Sequence, residues 1–211
     1  MKYFNTIPLV LQNDFNGNAL LVNNLITRAY LLPSLTKNVM LYYKYDLKDS
    51  DTPENIAYKY YEDIDRYWIV LYSNGITDPQ GDWPLTSQQF DLHLVKKYAE
   101  AAGSSEPSVI LSYTTGTIHH YEQTVVTTDS GNLQKQSITI EIDENTYNTT
   151  TDTEYNSVFP NGVKVSKRIT KNTVSIYEYE NRLNESKRKI NIMKKDFVGQ
   201  METQLKSVMS A

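Results

Sequence analysis

Cysteine is absent from the 211-residue chain, which excludes disulfides, thiolate metal sites and a cysteine nucleophile together. A basic excess is missing too: 21 lysines and arginines stand against 25 acidic residues, for a formal net charge of −4. Nucleic-acid binding needs positive charge gathered on one face, so no nucleic-acid partner is expected. Neither the opening MKYFNTIPLVLQNDF nor any later stretch holds an apolar run long enough for a secretory signal or a membrane span. No membrane partner is expected, and the chain is placed in a cytoplasm. Apolar residues make up only 39% of a chain long enough to bury an ordinary core. Thr, Asn, Ser and seventeen tyrosines fill the difference, a balance that suits a protein completing its burial against partners.

Residues 1–40 read as an irregular arm, in which NDFNGNALLVNNLITRAYLLP mixes short apolar runs with Asn and Gly turn signals, and Pro33 limits any helix ahead of it. The arm is expected to pack on the next domain or on another chain. NVMLYYKYDL, residues 38–47, has strand composition. Next comes helix-start chemistry: Asp51 or Thr52 as cap, Pro53 at the first helical position, Glu54 at the positive end of the dipole. Ile56, Ala57 and Tyr60 give this helix an apolar face. A second helix fits Ile64 to Ser73, with Ile64, Tyr67, Trp68 and Leu71 at helical spacing and Asn74-Gly75 as a left-handed stop. After a turn-rich return bearing Trp83 beside Pro84, a third helix is predicted from Thr86, with Phe90, Leu94 and Tyr98 in a stripe.

Beyond the linker at EAAGSSEP the texture changes. Residues 108–176 read as a small antiparallel β region with hairpin turns at Ser130-Gly131-Asn132 and Asn161-Gly162, and a polar Thr-rich connection at DENTYNTTTDTEYNS. The closing segment carries Tyr179, Leu183, Ile190, Met193, Phe197, Met201, Leu205 and Val208 mostly three or four apart. This spacing predicts one helix over 177–211, roughly 45–50 Å long at about 1.5 Å per residue. A helix of that length overshoots a small domain, so its far end is expected on a partner, with its methionines making the surface adaptable. The Lys187-Arg188-Lys189 and Lys194-Lys195 clusters read as its solvated face, paired with Glu180, Glu185 and Asp196.

The chemistry-bearing motifs are weak. In His119-His120-Tyr121-Glu122 adjacent strand residues point to opposite faces, so only His120 and Glu122 share a side, and no third ligand is evident. DSDTPE and YEDIDRY are explained by capping and solvent exposure, and neither accompanies a nucleophile or a phosphate loop. Gly103-Ser104-Ser105 lacks the context of a nucleophile elbow. The chain is read as not an enzyme, with no cofactor and no metal.

The run DTPENIAYKYYEDIDRYWIVLYSNGITDPQGDWPLTSQQFDLHLVKKY resembles the LysM-like segment of a baseplate wedge subunit from contractile-tailed phages of the T-even type. The Pro-Glu helix start, the Tyr-Trp pair, the Asn turn, the Asp-Pro and a Trp-Leu-Thr-Ser-Gln-like sequence recur in that order, and YENRLNESKRKINIMKKDFVGQM is similar to the family's closing helix. Together the matched stretches cover residues 41–98 and 177–205. The resemblance implies a structural virion protein of the inner baseplate that grips other wedge proteins, adjacent wedges included. It also implies multiple copies closing a six-fold ring around the hub by rotation.

The fold class expected is therefore α+β: an arm (1–40), a LysM-like domain with its following helix (41–103), a β-rich region (104–176) and the long helix (177–211). Tyr58, Tyr61 and Tyr72, off the apolar stripes, are candidate partner-binding residues, since exposed aromatics mark interfaces. Trp83 joins them from its turn, as do Ile190, Met193, Phe197, Met201 and Leu205 from the closing helix. The rival readings are a LysM-type peptidoglycan- or chitin-binding module and a lysin accessory enzyme.

Overall fold

The computed structural model describes residues 3–24, 26, 33–36, 38–131 and 134–209. In chain order the elements are β1 (Leu9–Asn13), β2 (Ala19–Asn23), α1 (Pro33–Thr36), β3 (Tyr42–Asp46), α2 (Pro53–Tyr61), α3 (Tyr67–Ser73), α4 (Pro79–Asp82), α5 (Ser87–Ala102) and α6 (Pro107–Gly116). There follow β4 (Ile118–Asp129), β5 (Gln134–Ile142), α7 (Glu144–Thr149), β6 (Thr153–Val158), β7 (Lys164–Ser175), α8 (Ile176–Ser186), β8 (Lys189–Met193) and α9 (Lys195–Met209). Helices and strands both contribute and every strand pairing is antiparallel, which makes the class α+β. Two compact units divide it: Met1–Ser87 with Asn184–Ala211, and Gln88–Leu183.

In the first unit local chemistry sets the helices. Thr52 caps α2, its hydroxyl accepting from the Asn55 N–H at 3.2 Å, with Pro53 at the first position. Glu62 ends the helix in the left-handed region at φ 57°. Asp63 then caps a short 3-10 turn, Ile64–Arg66, that leads into α3, and Gly75 supplies the left-handed exit at φ 66°. The 3-10 start leaves Ile64 in solvent, off the apolar stripe that its helical spacing predicted, whereas Trp68 is buried together with Ile69 and Val70.

The expected continuous closing helix is replaced by α8, β8 and α9. In β8 the isoleucines Ile190 and Ile192 alternate with Asn191, and the strand pairs antiparallel with β3 in the register Tyr42↔Met193 to Asp46↔Lys189. Arg188 holds the break, its guanidinium donating to Glu185 at 2.7 Å, to Asp49 at 2.6 Å and to the Leu47 carbonyl at 3.3 Å. Strand–helix–helix from the middle of the chain is thus closed by a strand from its end. Ile56, Ala57, Tyr61, Trp68, Ile69, Ile190, Ile192, Met201 and Leu205 meet in one core.

The arm contains an ordered hairpin rather than irregular chain: β1 and β2 pair from Leu9↔Asn23 to Asn13↔Ala19. The segment expected to be limited by Pro33 lies outside the described residues.

The second unit carries a four-stranded antiparallel sheet in the order β5-β4-β7-β6. Two helices stand where β structure or open connection was expected. Pro107 opens α6, and inside it Thr114 and Thr115 return their hydroxyls to the Ile110 and Leu111 carbonyls at 2.8 and 2.7 Å, which accommodates β-branched residues in a helix. Asp143 caps α7 within the Thr-rich connection, accepting from the Thr146 N–H at 2.9 Å. The Asn161-Gly162 turn joins β6 to β7 with Gly162 at φ 81°. In the other expected turn Ser130 and Gly131 follow β4, and Asn132 lies outside the described residues.

Candidate interaction surface

The core of the first unit decides which candidate residues are available to a partner. Tyr61 stands four residues beyond Ala57, hence on the buried face of α2, and is 1% exposed; burial pushes its phenol pKa up. Ile190 and Met193 are buried on β8, and Met201 and Leu205 on α9. These five are corrected from interface to core: the stripe expected to face another protein is covered by this chain's own helices and strand. Phe197 and Tyr72 are half-buried against the same core. Trp83 is half-buried too, and its indole N–H donates to the Asp51 carbonyl at 3.0 Å, which fixes the return after α4 beside the start of α2. Tyr58 alone among the candidates projects freely, at 63% exposed.

The lysine and arginine clusters are exposed at Lys189 and Lys195 and half-buried at Lys187, Arg188 and Lys194, and they are largely not paired as expected. Glu185 does hold Arg188, whereas Lys195 pairs with Glu62 at 2.8 Å and Lys187 donates to the Gly81 carbonyl at 2.7 Å. Glu180 faces Lys97 instead, at 2.7 Å.

A larger apolar surface lies in the β1–β2 hairpin. Leu11 and Leu21 sit opposite one another on one face, and Val10 opposite Val22 on the other, with Leu20 beside them. Leu9, Val10, Leu11, Leu20 and Leu21 are all exposed, and Phe15 in the turn is fully exposed. Asp14 is the only charged residue between Leu9 and Asn23. It serves the turn, accepting from the Asn16 and Asn18 backbone at 2.8 Å each, which lowers its carboxyl pKa. Gln12, Asn13, Asp14, Phe15, Leu20 and Val22 line a hollow of about 330 Å³ on the hairpin. An isolated two-stranded hairpin is marginal in water, and one apolar on both faces needs cover from outside. Read as an irregular arm, the segment gave no strand alternation; the signal that could have found the hairpin is its two short apolar runs, LVL and ALLV, on either side of an Asn-Gly turn.

The histidine run gains no third ligand among the described residues. A bulge between Ile118 and His120 breaks the strand alternation and brings the two rings together, Nδ1 to Nδ1 at 2.8 Å. The expectation that they point apart is therefore corrected. His119 stacks on Tyr179 with centroids 3.8 Å apart. His120 does reach Glu122, at 3.2 Å, yet the Arg182 guanidinium occupies that carboxylate with contacts of 2.7 and 2.9 Å. Arg182 holds the Glu122 carboxyl below its ordinary pKa. Among the described residues no group of three or more histidines and carboxylates is arranged to hold a metal ion. No helix among them is long and apolar enough to cross a membrane.

The family model described as Base plate wedge protein 53 matches residues 28–208, so the hairpin precedes the matched residues. No curated protein matches the chain significantly.

Proposed function

The chain belongs to the Base plate wedge protein 53 family, and from that premise we propose that it joins neighbouring wedge proteins by burying its hairpin and Tyr58 against them. It is a structural protein of a phage tail baseplate, located in the virion tail. The observation that carries the docking reading is the hairpin: apolar on both faces and nearly free of charge, it fits an apolar protein surface and nothing that selects for charge.

The finer reading is an inner-wedge subunit of a T-even-type contractile tail, assembled in the host cytoplasm. In it the β3–α2–α3–β8 unit is LysM-like and grips protein. Copies of the chain then help adjacent wedges close a six-fold ring around the hub. Trp83 supports protein gripping over glycan binding, since its indole N–H is already spent on the Asp51 carbonyl.

The test is co-expression with wedge proteins of the same genome, followed by size-exclusion chromatography with light scattering. Wild type is expected to co-elute as a defined complex. Leu11→Asp with Leu21→Asp should lose the complex while circular dichroism stays unchanged. Failure of wild type to co-elute, or retention on peptidoglycan that Trp83→Ala abolishes, would replace the reading.

A further inference from the structure

Among the described residues the sheet of the second unit ends at β5, with no strand on its outer edge. All of Gln134–Glu141 is exposed and Ile142 is half-buried. An open edge of nine residues is a row of unpaired backbone groups, a template for another strand. Its sequence, QKQSITIEI, is antisymmetric in charge about its centre: Lys135 lies three residues before Ile138 and Glu141 three after. Neither side chain has an ion-pair partner among the described residues. Inside the sheet Glu141 sits opposite Glu122, whose carboxylate is already held by Arg182, so a cation for Glu141 has to come from the open side.

From this arrangement we propose that β5 pairs antiparallel with β5 of a second copy about a two-fold axis at Ile138, making one continuous eight-stranded sheet. Ile138 then faces Ile138 of the other copy, Gln136 faces Ile140, Ser137 faces Thr139, and Lys135 faces Glu141 twice. The register of β5 on β4 places Ile138 beside Val125, and Val125 beside Ile169. Exposed Ile138 and Ile140 thereby extend one apolar stripe across both copies. A slip of one residue turns the isoleucines to the opposite face, and a slip of two separates Lys135 from Glu141, so pattern and charge select the same register. The other edge, β6, has no such symmetry: its one charged residue, Glu154, is held by Arg168 at 2.8 Å. Such a contact is isologous, the same patch on both copies. An isologous pair does not by itself close a six-fold ring, so this is a contact of the free chain, separate from the hairpin's docking to wedge proteins.

Light scattering of the full chain is expected to give a dimer. Glu141→Lys and Lys135→Glu should each shift it to monomer, and the double exchange Lys135→Glu with Glu141→Lys should restore the dimer. The chain has no cysteine, so Ile138→Cys should give a covalent dimer on mild oxidation, since opposed antiparallel residues lie about 4.5–5.5 Å apart, within disulfide reach. Gln134→Cys, far from its own copy in this register, should not. All these positions are exposed, and circular dichroism checks that each variant keeps its fold. A monomeric wild type, a dimer indifferent to both reversals, or a double exchange that stays monomeric would overturn the proposal.

Discussion

Asn74 bonds both backbone groups of Asn191 across 117 residues of sequence, its amide donating to the Asn191 carbonyl at 2.9 Å and accepting the Asn191 N–H at 2.7 Å. The same amide nitrogen donates to the Val70 carbonyl at 2.8 Å, at the end of α3. One side chain thus ends a helix and stands in for a neighbouring strand along β8. Asn74→Ala removes the partner of three backbone groups, of which those of exposed Asn191 can turn to water, and should cost about 0.5–1.5 kcal/mol. Asn74→Asp keeps the acceptor but sets a carboxylate against two carbonyls, so it should be no better tolerated. Urea unfolding of the three proteins checks both.

Leu205, fully buried on α9, packs in a core with residues of α2, α3 and β8. Leu205→Ala should destabilise by about 2–5 kcal/mol through lost transfer energy and the cavity left behind. Leu205→Asp should prevent the unit from folding rather than remove a docking contact. The measurement is the unfolding midpoint of the chain alone: a normal midpoint for Leu205→Asp would return this residue to the surface.

These two positions also mark where sequence reasoning succeeds and where it stops. Thr52-Pro53-Glu54 and Asn74-Gly75 act through their own few residues, so the ends of α2 and α3 were legible. Ile190, Met193, Phe197 and Met201 fit a helical period, yet Ile190 and Ile192 equally fit a strand. What selects the strand is pairing with β3, more than a hundred residues away and invisible locally. The site was legible to the same degree. Tyr58 points away from the apolar face of α2 and is exposed, whereas Tyr61 required seeing that Ala57 and Tyr61 lie on one side. The hairpin's turn signals and apolar runs were visible, but not that both of its faces stay open, a property of what fails to pack on it.

Glu180 is a buried carboxylate that receives the Tyr98 hydroxyl and the Lys97 ammonium at 2.7 Å each. Burial raises its pKa, but these two donors outweigh burial and leave it below the ordinary carboxylate value. The folded state therefore holds its proton less tightly than the unfolded chain. Stability from this site is fully present above the ordinary carboxylate pKa and is lost as pH falls through the depressed folded value. Glu180→Gln should cost about 1–3 kcal/mol at neutral pH and flatten the acid limb of the stability curve. Urea unfolding at several acidic pH values compares the two; parallel limbs would mean that Glu180 does not carry this dependence.

Two glycines should respond to alanine with opposite signs. Gly162 turns the β6–β7 hairpin at φ +81° with open space around it, so a Cβ meets no atom but the backbone is forced into a conformation that L-residues rarely adopt. Gly162→Ala should destabilise by about 1–2 kcal/mol. Gly199 lies inside α9 at an ordinary helical angle, and a Cβ there also meets nothing within 4 Å. Gly199→Ala should stabilise by about 0.5–1 kcal/mol, because alanine surrenders less backbone freedom on entering a helix. Thermal unfolding separates the cases. Since neither site is crowded, a destabilised Gly199→Ala would mean that α9 needs flexibility or close approach at that turn.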